Sequence, residues 1–435
     1  MMFEFDRHDE NALRGRRITV VGGGVSGRAA ARLAAAKGAA VRVVDANPDL
    51  DPAPFAALGP AVTLERGPHS PAQFADADLV VLSPGVPARK LDPFLDDRAR
   101  DRLVAEFELA SWFTDAPMVA ITGTNGKTTT TKVIAAVFEA AGKSVFVGGN
   151  IGTPLSESVY AGERPDVLVM EISSFQLMAC RTLKPRVGIL LNVSANHLDW
   201  HRDMDEYIDA KLSLFARQDE SDLAILPARQ RAELEPRLKT RAQVLWYEPQ
   251  VRFDAPNLPG AHSVANLEAV WRAVSFLGVD EPTAARAVAA FVPPHHRIER
   301  VAEVAGVLYV DDSKATTLEA VAAAVKSFDR PVRLLMGGVY KGGDVRSLIP
   351  VFQGHVVQIG LFGAAREVFE PALRDDFDLF WAPELPAAVA RLAAAARPGD
   401  VVLLSPGTAS FDLYKGYAQR GDHFQGIVKA MEGAA

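Results

Sequence analysis

One cysteine in 435 residues, Cys180, leaves no partner for an intramolecular disulfide and suits a reducing compartment. Its neighbours Leu177, Met178 and Ala179 predict a thiol packed beside a buried helix rather than a nucleophile. Basic residues are in the minority, 47 against 54 acidic ones, and the net charge of −7 argues against a nucleic-acid partner. No apolar run approaches the roughly 20 residues needed to cross a bilayer. The opening stretch Met-Met-Phe-Glu-Phe-Asp-Arg carries no apolar signal region. The expectation is a cytoplasmic chain, without a membrane partner, working as a monomer on small molecules. Short repeats and low-complexity tracts are also lacking, which excludes solenoids and disordered linkers as the main architecture.

What is present is a globular composition, 49% hydrophobic and 23% charged, in a chain too long for one ordinary core. Short β-branched runs alternate with Ala/Leu-rich helical stretches throughout, so the expected fold class is α/β with mainly parallel sheets. Three blocks are legible. Residues 1–96 open with Arg17–Val21, a glycine turn and an alanine-rich helix, followed by strands at Val41–Val44 and Leu79–Leu82. A Pro/Asp/Arg-rich stretch from Ala88 to Arg102 reads as a linker. Residues 97–293 form the second block, closed by Pro293-Pro294 after the helical pattern Glu281–Phe291. Residues 294–435 have their own strand series at Val307–Val310, Val332–Met336, Val356–Leu361 and Val401–Leu404.

The second block carries the most specific chemistry. The apolar run Met118–Ile121 leads into Thr122, Gly123, Thr124, Asn125, Gly126, Lys127, Thr128 and Thr129. Strand, glycine turn and helix start appear in order, with backbone N–H groups to face an anion. Lys127 is placed to reach the β- and γ-phosphates and Thr128 to offer a hydroxyl to Mg²⁺. A nucleoside triphosphate, ATP, is the expected ligand. The strand Val167–Met170 ends in Glu171, where a Mg²⁺ ligand belongs beside Thr128. A further strand, Val187–Leu191, runs towards His197, whose imidazole could bind a second metal. Lys211, amid Tyr207, Ile208, Leu212 and Phe215, reads on pattern alone as a snorkelling surface lysine.

In the first block, Gly22-Gly23-Gly24-Val25-Ser26-Gly27 fits G-x-G-x-x-G, and Asp45 closes the next strand. NAD would be the default guess. The chemistry is narrower: a helix N-terminus for a diphosphate and an acid for a ribose or base, which a UDP-linked substrate satisfies equally.

Six motifs together resemble the Mur ligases of peptidoglycan synthesis. They are Gly123–Thr128, Glu171–Leu177 (Glu-Ile-Ser-Ser-Phe-Gln-Leu), Asn196–Asp199, His296-Arg297, Asp312–Thr316 and Ser405–Asp412. The second of these is most similar to the glutamate-adding members. The resemblance implies three domains and two Mg²⁺ sites. It also implies an ATP-dependent amide ligase that joins D-glutamate to UDP-N-acetylmuramoyl-L-alanine through an acyl phosphate. It casts Gly123, Thr124, Asn125, Gly126, Lys127, Thr128, Thr129, Asn266, Arg297 and Asp312 as the ATP site. Thr128 and Glu171 become ligands of one metal, and His197 of the other. Lys211 is implied to be carbamylated near that second metal, and Asn150 to lie near the reacting carboxylate. The UDP-substrate would meet Val25, Ser26, Gly27, Asp45, Ala46, Asn47, Ser83 and Gly85. Glutamate would meet Lys314, Thr316, Lys341, Ser410, Phe411 and Tyr417.

Three rivals keep part of this pattern. A folylpolyglutamate synthase shares the phosphate loop and glutamate transfer but not a UDP-binding first domain. A dinucleotide-dependent dehydrogenase explains Gly22–Gly27 and Asp45 but leaves Lys127 and Glu171 unused. An L-glutamate-specific ligase would keep all the phosphate machinery.

Overall fold

The computed structural model describes residues 9–194, 201–258, 260–340 and 342–433. The chain divides into two compact units, Met1–Phe253 with Ala265–Val288, and Asp254–Val264 with Ala289–Ala435.

The first unit holds two parallel sheets. β1 (Arg17–Val21), β2 (Ala40–Asp45), β3 (Val62–Arg66), β4 (Leu79–Leu82) and β5 (Leu103–Ala105) lie in the order β3-β2-β1-β4-β5. The stretch from Ala88 to Arg102 is therefore not a linker. It folds as a 3-10 turn, Ala88–Leu91, and a helix, Asp97–Asp101, that deliver β5 to the edge of β4. Asp96 caps that helix by accepting from Ala99 N at 2.7 Å, so the acidic run is a helix start.

The second sheet contains β6 (Met118–Thr122), β7 (Val145–Gly149), β8 (Val167–Glu171), β9 (Val187–Leu190), β10 (Leu223–Pro227) and β11 (Gln243–Tyr247). Their order is β11-β10-β9-β6-β8-β7, all parallel. β6 and β8 are buried along their whole length, as expected where helices cover both faces. One continuous core runs from Leu13 and Val81 through Phe107 and Trp112 to Phe215, so the two sheets share their apolar interior.

The second unit is built on β12 (Glu299–Val304), β13 (Val307–Asp311), β14 (Val332–Gly337), β15 (Val356–Phe362), β16 (Leu379–Ala382) and β17 (Val401–Leu404). The order is β12-β13-β17-β14-β15-β16, and β12 alone runs antiparallel, paired with β13. The turn joining them is Ala305-Gly306, with φ of +49° and +77°, the hand that suits a two-residue hairpin. Period-two alternation sorts the central strands: Leu334 and Met336 pack into one apolar layer, and Leu335 into the other.

Candidate active site

The glycine turn after β6 is held open by its neighbours. Gly123 and Gly126 have φ of +151° and +85°, and the helix Lys127–Ala140 starts directly after Gly126. Asn192, just past β9, clamps the loop. Its backbone oxygen accepts from Thr124 N at 2.9 Å, and its side-chain amide exchanges bonds with the Asn125 backbone at 2.9 and 3.0 Å. A Cβ on Gly126 would come within 2.5 Å of Asn266 Nδ2, which places Asn266 against the loop. Lys127 Nζ bends back to donate to the Gly123 and Thr124 carbonyls, both at 2.8 Å. Its charge therefore sits over the turn, and Thr128 and Thr129 occupy the first helical turn beside it.

Glu171 closes β8 with 2% of its surface exposed. Asn150 Nδ2 donates to Oε1 at 3.0 Å, and Asn150 N donates to the Glu171 backbone oxygen at 2.7 Å. Gly149 allows this approach, because a Cβ there would lie 2.1 Å from that oxygen. Oε2 is buried with no hydrogen-bond partner among the described residues. An orphaned buried carboxylate oxygen costs a few kcal/mol unless something satisfies it. A hard divalent cation does so well, and Thr128 on the adjoining helix supplies a second oxygen donor. The residues present therefore fit a Mg²⁺ held by Thr128 and Glu171. His197 lies outside the described residues.

Lys211 is not a surface lysine. The helix Met204–Leu212 buries it to 1% exposure, its ammonium 4.4 Å from the centre of the Tyr207 ring and 3.0 Å from the Gly123 oxygen. Burial, together with the like charge of Lys127, holds its pKa well below the ordinary lysine value. Tyr207 in turn sits 3.1 Å from Thr124 Oγ1, tying this helix to the loop. The apolar neighbours read from sequence were correct; they enclose the lysine instead of letting it escape. Cys180 follows the helix Ser174–Met178, its thiol donating to Gln176 O at 3.3 Å and pushed far up by burial, as befits a packed group.

The candidates for the UDP-substrate gather at the carboxyl ends of β1, β2 and β4 in the first sheet. Gly22 (φ +91°) turns the chain, and a Cβ on Gly27 would fall 1.8 Å from the Gly22 oxygen, so the helix Val25–Ala36 packs tightly onto the turn. Ser83 Oγ donates to that same oxygen at 3.0 Å. Asp45 is already engaged by its own turn, accepting from Gly23 N at 2.6 Å and Asn47 N at 2.8 Å. Val25 stands 64% exposed at the helix start, and Ala46, Asn47 and Gly85 border open space.

In the second unit, Arg297 lies between two residues of positive φ, His296 at +65° and Ile298 at +48°. A buried network holds this turn: His296 Nδ1 is 2.7 Å from Asp311 Oδ2, and Gln425 Nε2 donates to Asp311 and Glu299 at 2.9 and 3.1 Å. Asp312 accepts from Ser405 Oγ at 2.8 Å, and burial pushes its carboxyl up to about 7. Lys314 lies 3.8 Å from the centre of the Tyr417 ring. Thr316 is half-buried, Ser410 buried and Phe411 71% exposed, while Lys341 lies outside the described residues. Arg420 is fully buried yet still cationic at neutral pH, drawn down to about 10 by desolvation.

Three domain models of one family match this chain. They are the Mur ligase MurD-like N-terminal domain at residues 16–96, the Mur ligase middle domain at 121–255 and the Mur ligase glutamate ligase domain at 296–407. UDP-N-acetylmuramoylalanine–D-glutamate ligase of Oleidesulfovibrio alaskensis is 50% identical over 419 residues, covering 95% of this chain and 94% of that protein. The chain belongs to the Mur ligase family. The like-named ligase of Nitratidesulfovibrio vulgaris strain DP4 is 50% identical over 431 residues, covering 97% of this chain and 99% of that protein. Among solved structures, Thermotoga maritima MurF in complex with ADP aligns with a TM-score of 0.59 at 18% identity, covering 98% of each chain. That likeness establishes a shared fold.

The Mur ligase motifs account for the glycine loops and acids but not for the side chains that hold them. Asn192, Tyr207 and Arg420 were not singled out for this work by sequence reasoning, because each acts through a partner remote in the chain, and His296 was read only as part of a motif. Asp312 makes a testable case. An unfolded carboxyl titrates near 3.8 and the folded one near 7, so between these values the folded state holds the extra proton. Stability must then fall as pH rises, on the order of 1 kcal/mol per pH unit. Urea melts of Asp312→Asn should lack this component from pH 5 to 7. Parallel pH profiles for the two proteins would remove Asp312 as its source.

Proposed function

We propose that this Mur ligase joins the amine of D-glutamate to the carboxyl of UDP-N-acetylmuramoyl-L-alanine, using ATP. The observation that carries the reading is the 50% identity, over nearly the full length of both chains, to proteins named for that reaction. The geometry supports it. A carboxylate resists nucleophiles because it is anionic and oxide is a poor leaving group. Its attack on the γ-phosphate gives an acyl phosphate and ADP, and the glutamate amine then expels phosphate.

In this scheme the loop Gly123–Thr129, with Asn266, cradles the triphosphate and Lys127 counters its charge. Thr128 and Glu171 would hold Mg²⁺, which would supply charge neutralisation at the phosphates, and Asn150 is assigned a place beside the reacting carboxylate. Lys211 serves as a carbamate: its lowered pKa makes neutral amine available for reaction with CO₂. The strand ends and turns at Gly22–Gly27, Asp45–Asn47, Ser83 and Gly85 take the UDP portion, and Lys314, Thr316, Ser410, Phe411 and Tyr417 face glutamate. Arg297 and Asp312 are assigned to ATP on motif position alone. The reading takes domain limits near residues 96 and 293, although β5 of the first sheet, Leu103–Ala105, lies beyond the first of them. His197 and Lys341 enter on motif position alone.

Two measurements test the reading. In a thermal melt, UDP should stabilise the protein and NAD should not; ligand at a hundredfold excess over Kd contributes about 2.7 kcal/mol. Stabilisation by NAD alone would restore the dehydrogenase reading of Gly22–Gly27. Mass spectrometry of the product should show one glutamate residue added from the D isomer and none from the L isomer. Incorporation of L-glutamate in preference would reassign the stereochemistry.

A further inference from the structure

Arg420, in the first turn of the helix Tyr417–Glu432, spends its guanidinium on three different loops. Nε donates to Ser313 Oγ at 3.0 Å and one terminal nitrogen to Gly337 O at 3.1 Å. The other terminal nitrogen donates to Ser313 O at 2.8 Å and Thr408 O at 3.2 Å. All four acceptors are uncharged oxygens. The loops follow β13, β14 and β17, which are adjacent in the sheet, so Arg420 lies across their carboxyl ends, where ligands of parallel sheets collect. Two further bonds close the hub: Ser313 Oγ donates to Tyr417 O at 2.8 Å, and Thr408 Oγ1 to Gly337 O at 2.6 Å. Packing is tight enough that a Cβ on Gly338 would lie 2.1 Å from Ala409 O and 3.1 Å from the guanidinium.

The first and third of these loops carry candidates for glutamate, Lys314 and Thr316 on one, Ser410 and Phe411 on the other, and the second follows the strand beside that of the third in the sheet. We propose that Arg420 is the positioning residue of the glutamate site, fixing the three loops relative to one another without touching substrate. This rests on reading that sheet edge as the glutamate site. Being fully buried, the side chain has no surface to offer a ligand. A planar fork with five donors can satisfy four acceptors on three loops at once; an ammonium cannot. None of its four direct acceptors is a carboxylate, and the guanidinium keeps a positive charge behind a site that must accept a dicarboxylate.

The test compares wild type with Arg420→Lys, using ATP, UDP-N-acetylmuramoyl-L-alanine and D-glutamate. The expected result is a KM for D-glutamate raised tenfold or more. KM for ATP and for the UDP-substrate should stay within twofold, and acyl phosphate trapped by hydroxylamine without glutamate should be undiminished. Unchanged KM for glutamate beside a lowered melting temperature would show a merely structural residue and overturn the proposal. Equal losses in all three KM values, or loss of acyl phosphate, would overturn it as well. Ser313→Ala, which deletes one acceptor and leaves the arginine, reads the same split should the lysine variant not fold: a threefold rise in the glutamate KM alone supports the proposal, and no change refutes it. Wild type inactive with these three substrates would instead refute the functional reading beneath it.

Discussion

Replacing Lys127 with alanine is expected to lower kcat by at least about 10²–10³-fold, the range seen when one preorganised donor to developing charge is deleted from a dry site. Lys127 sits at the start of the helix Lys127–Ala140, its ammonium 2.8 Å from two loop carbonyls, so it adds a full charge where the helix N-terminus already favours anions. The fold should survive, because deleting these two bonds costs on the order of 1–3 kcal/mol. A melt and a steady-state assay of the same preparation separate the effects. Activity within a few-fold of wild type would remove Lys127 from the phosphate site.

Lys211→Ala should be nearly inactive, and its behaviour with added acids is the more informative result. A protonated lysine beside a cation site repels the metal, whereas a carbamate offers it oxygen atoms. The structure satisfies the chemical precondition: burial and Lys127 both disfavour the ammonium. A short carboxylate such as acetate should then restore part of the rate lost in Lys211→Ala by returning the missing oxygens. Full activity in the variant would mean that the buried amine serves packing alone. Equal rescue by acetate and by a neutral amide of the same size would assign the loss to an unfilled cavity.

Local signals made the phosphate loop and the glycine turn Gly22–Gly27 legible, because glycine, lysine and strand ends lie within a few residues of each other. Asn150 and Glu171 were each singled out separately, and their bond at 3.0 Å follows from the pairing of β7 with β8, which no local pattern encodes. Lys211 shows the limit in the other direction. Apolar neighbours at helical spacing describe a side chain lying along a surface or one sealed inside, and only the packing of Tyr207 against Thr124 decides between them. The segment Ala88–Arg102 misled because proline and charge mark helix starts as readily as linkers; Asp96 is a cap. β12 was missed because its hairpin turns on Ala305-Gly306, without the Asn-Gly or Asp-Gly that announces such a turn. Arg420 gave no signal at all, since its four acceptors come from loops separated by up to 107 residues from it.

Phosphate release by the purified protein tests the central claim most directly. With ATP and Mg²⁺ present, sustained release should require UDP-N-acetylmuramoyl-L-alanine and D-glutamate together, with one phosphate formed per amide bond. Sustained release at the full rate without either acceptor, or with a folate in place of the UDP-substrate, would contradict it.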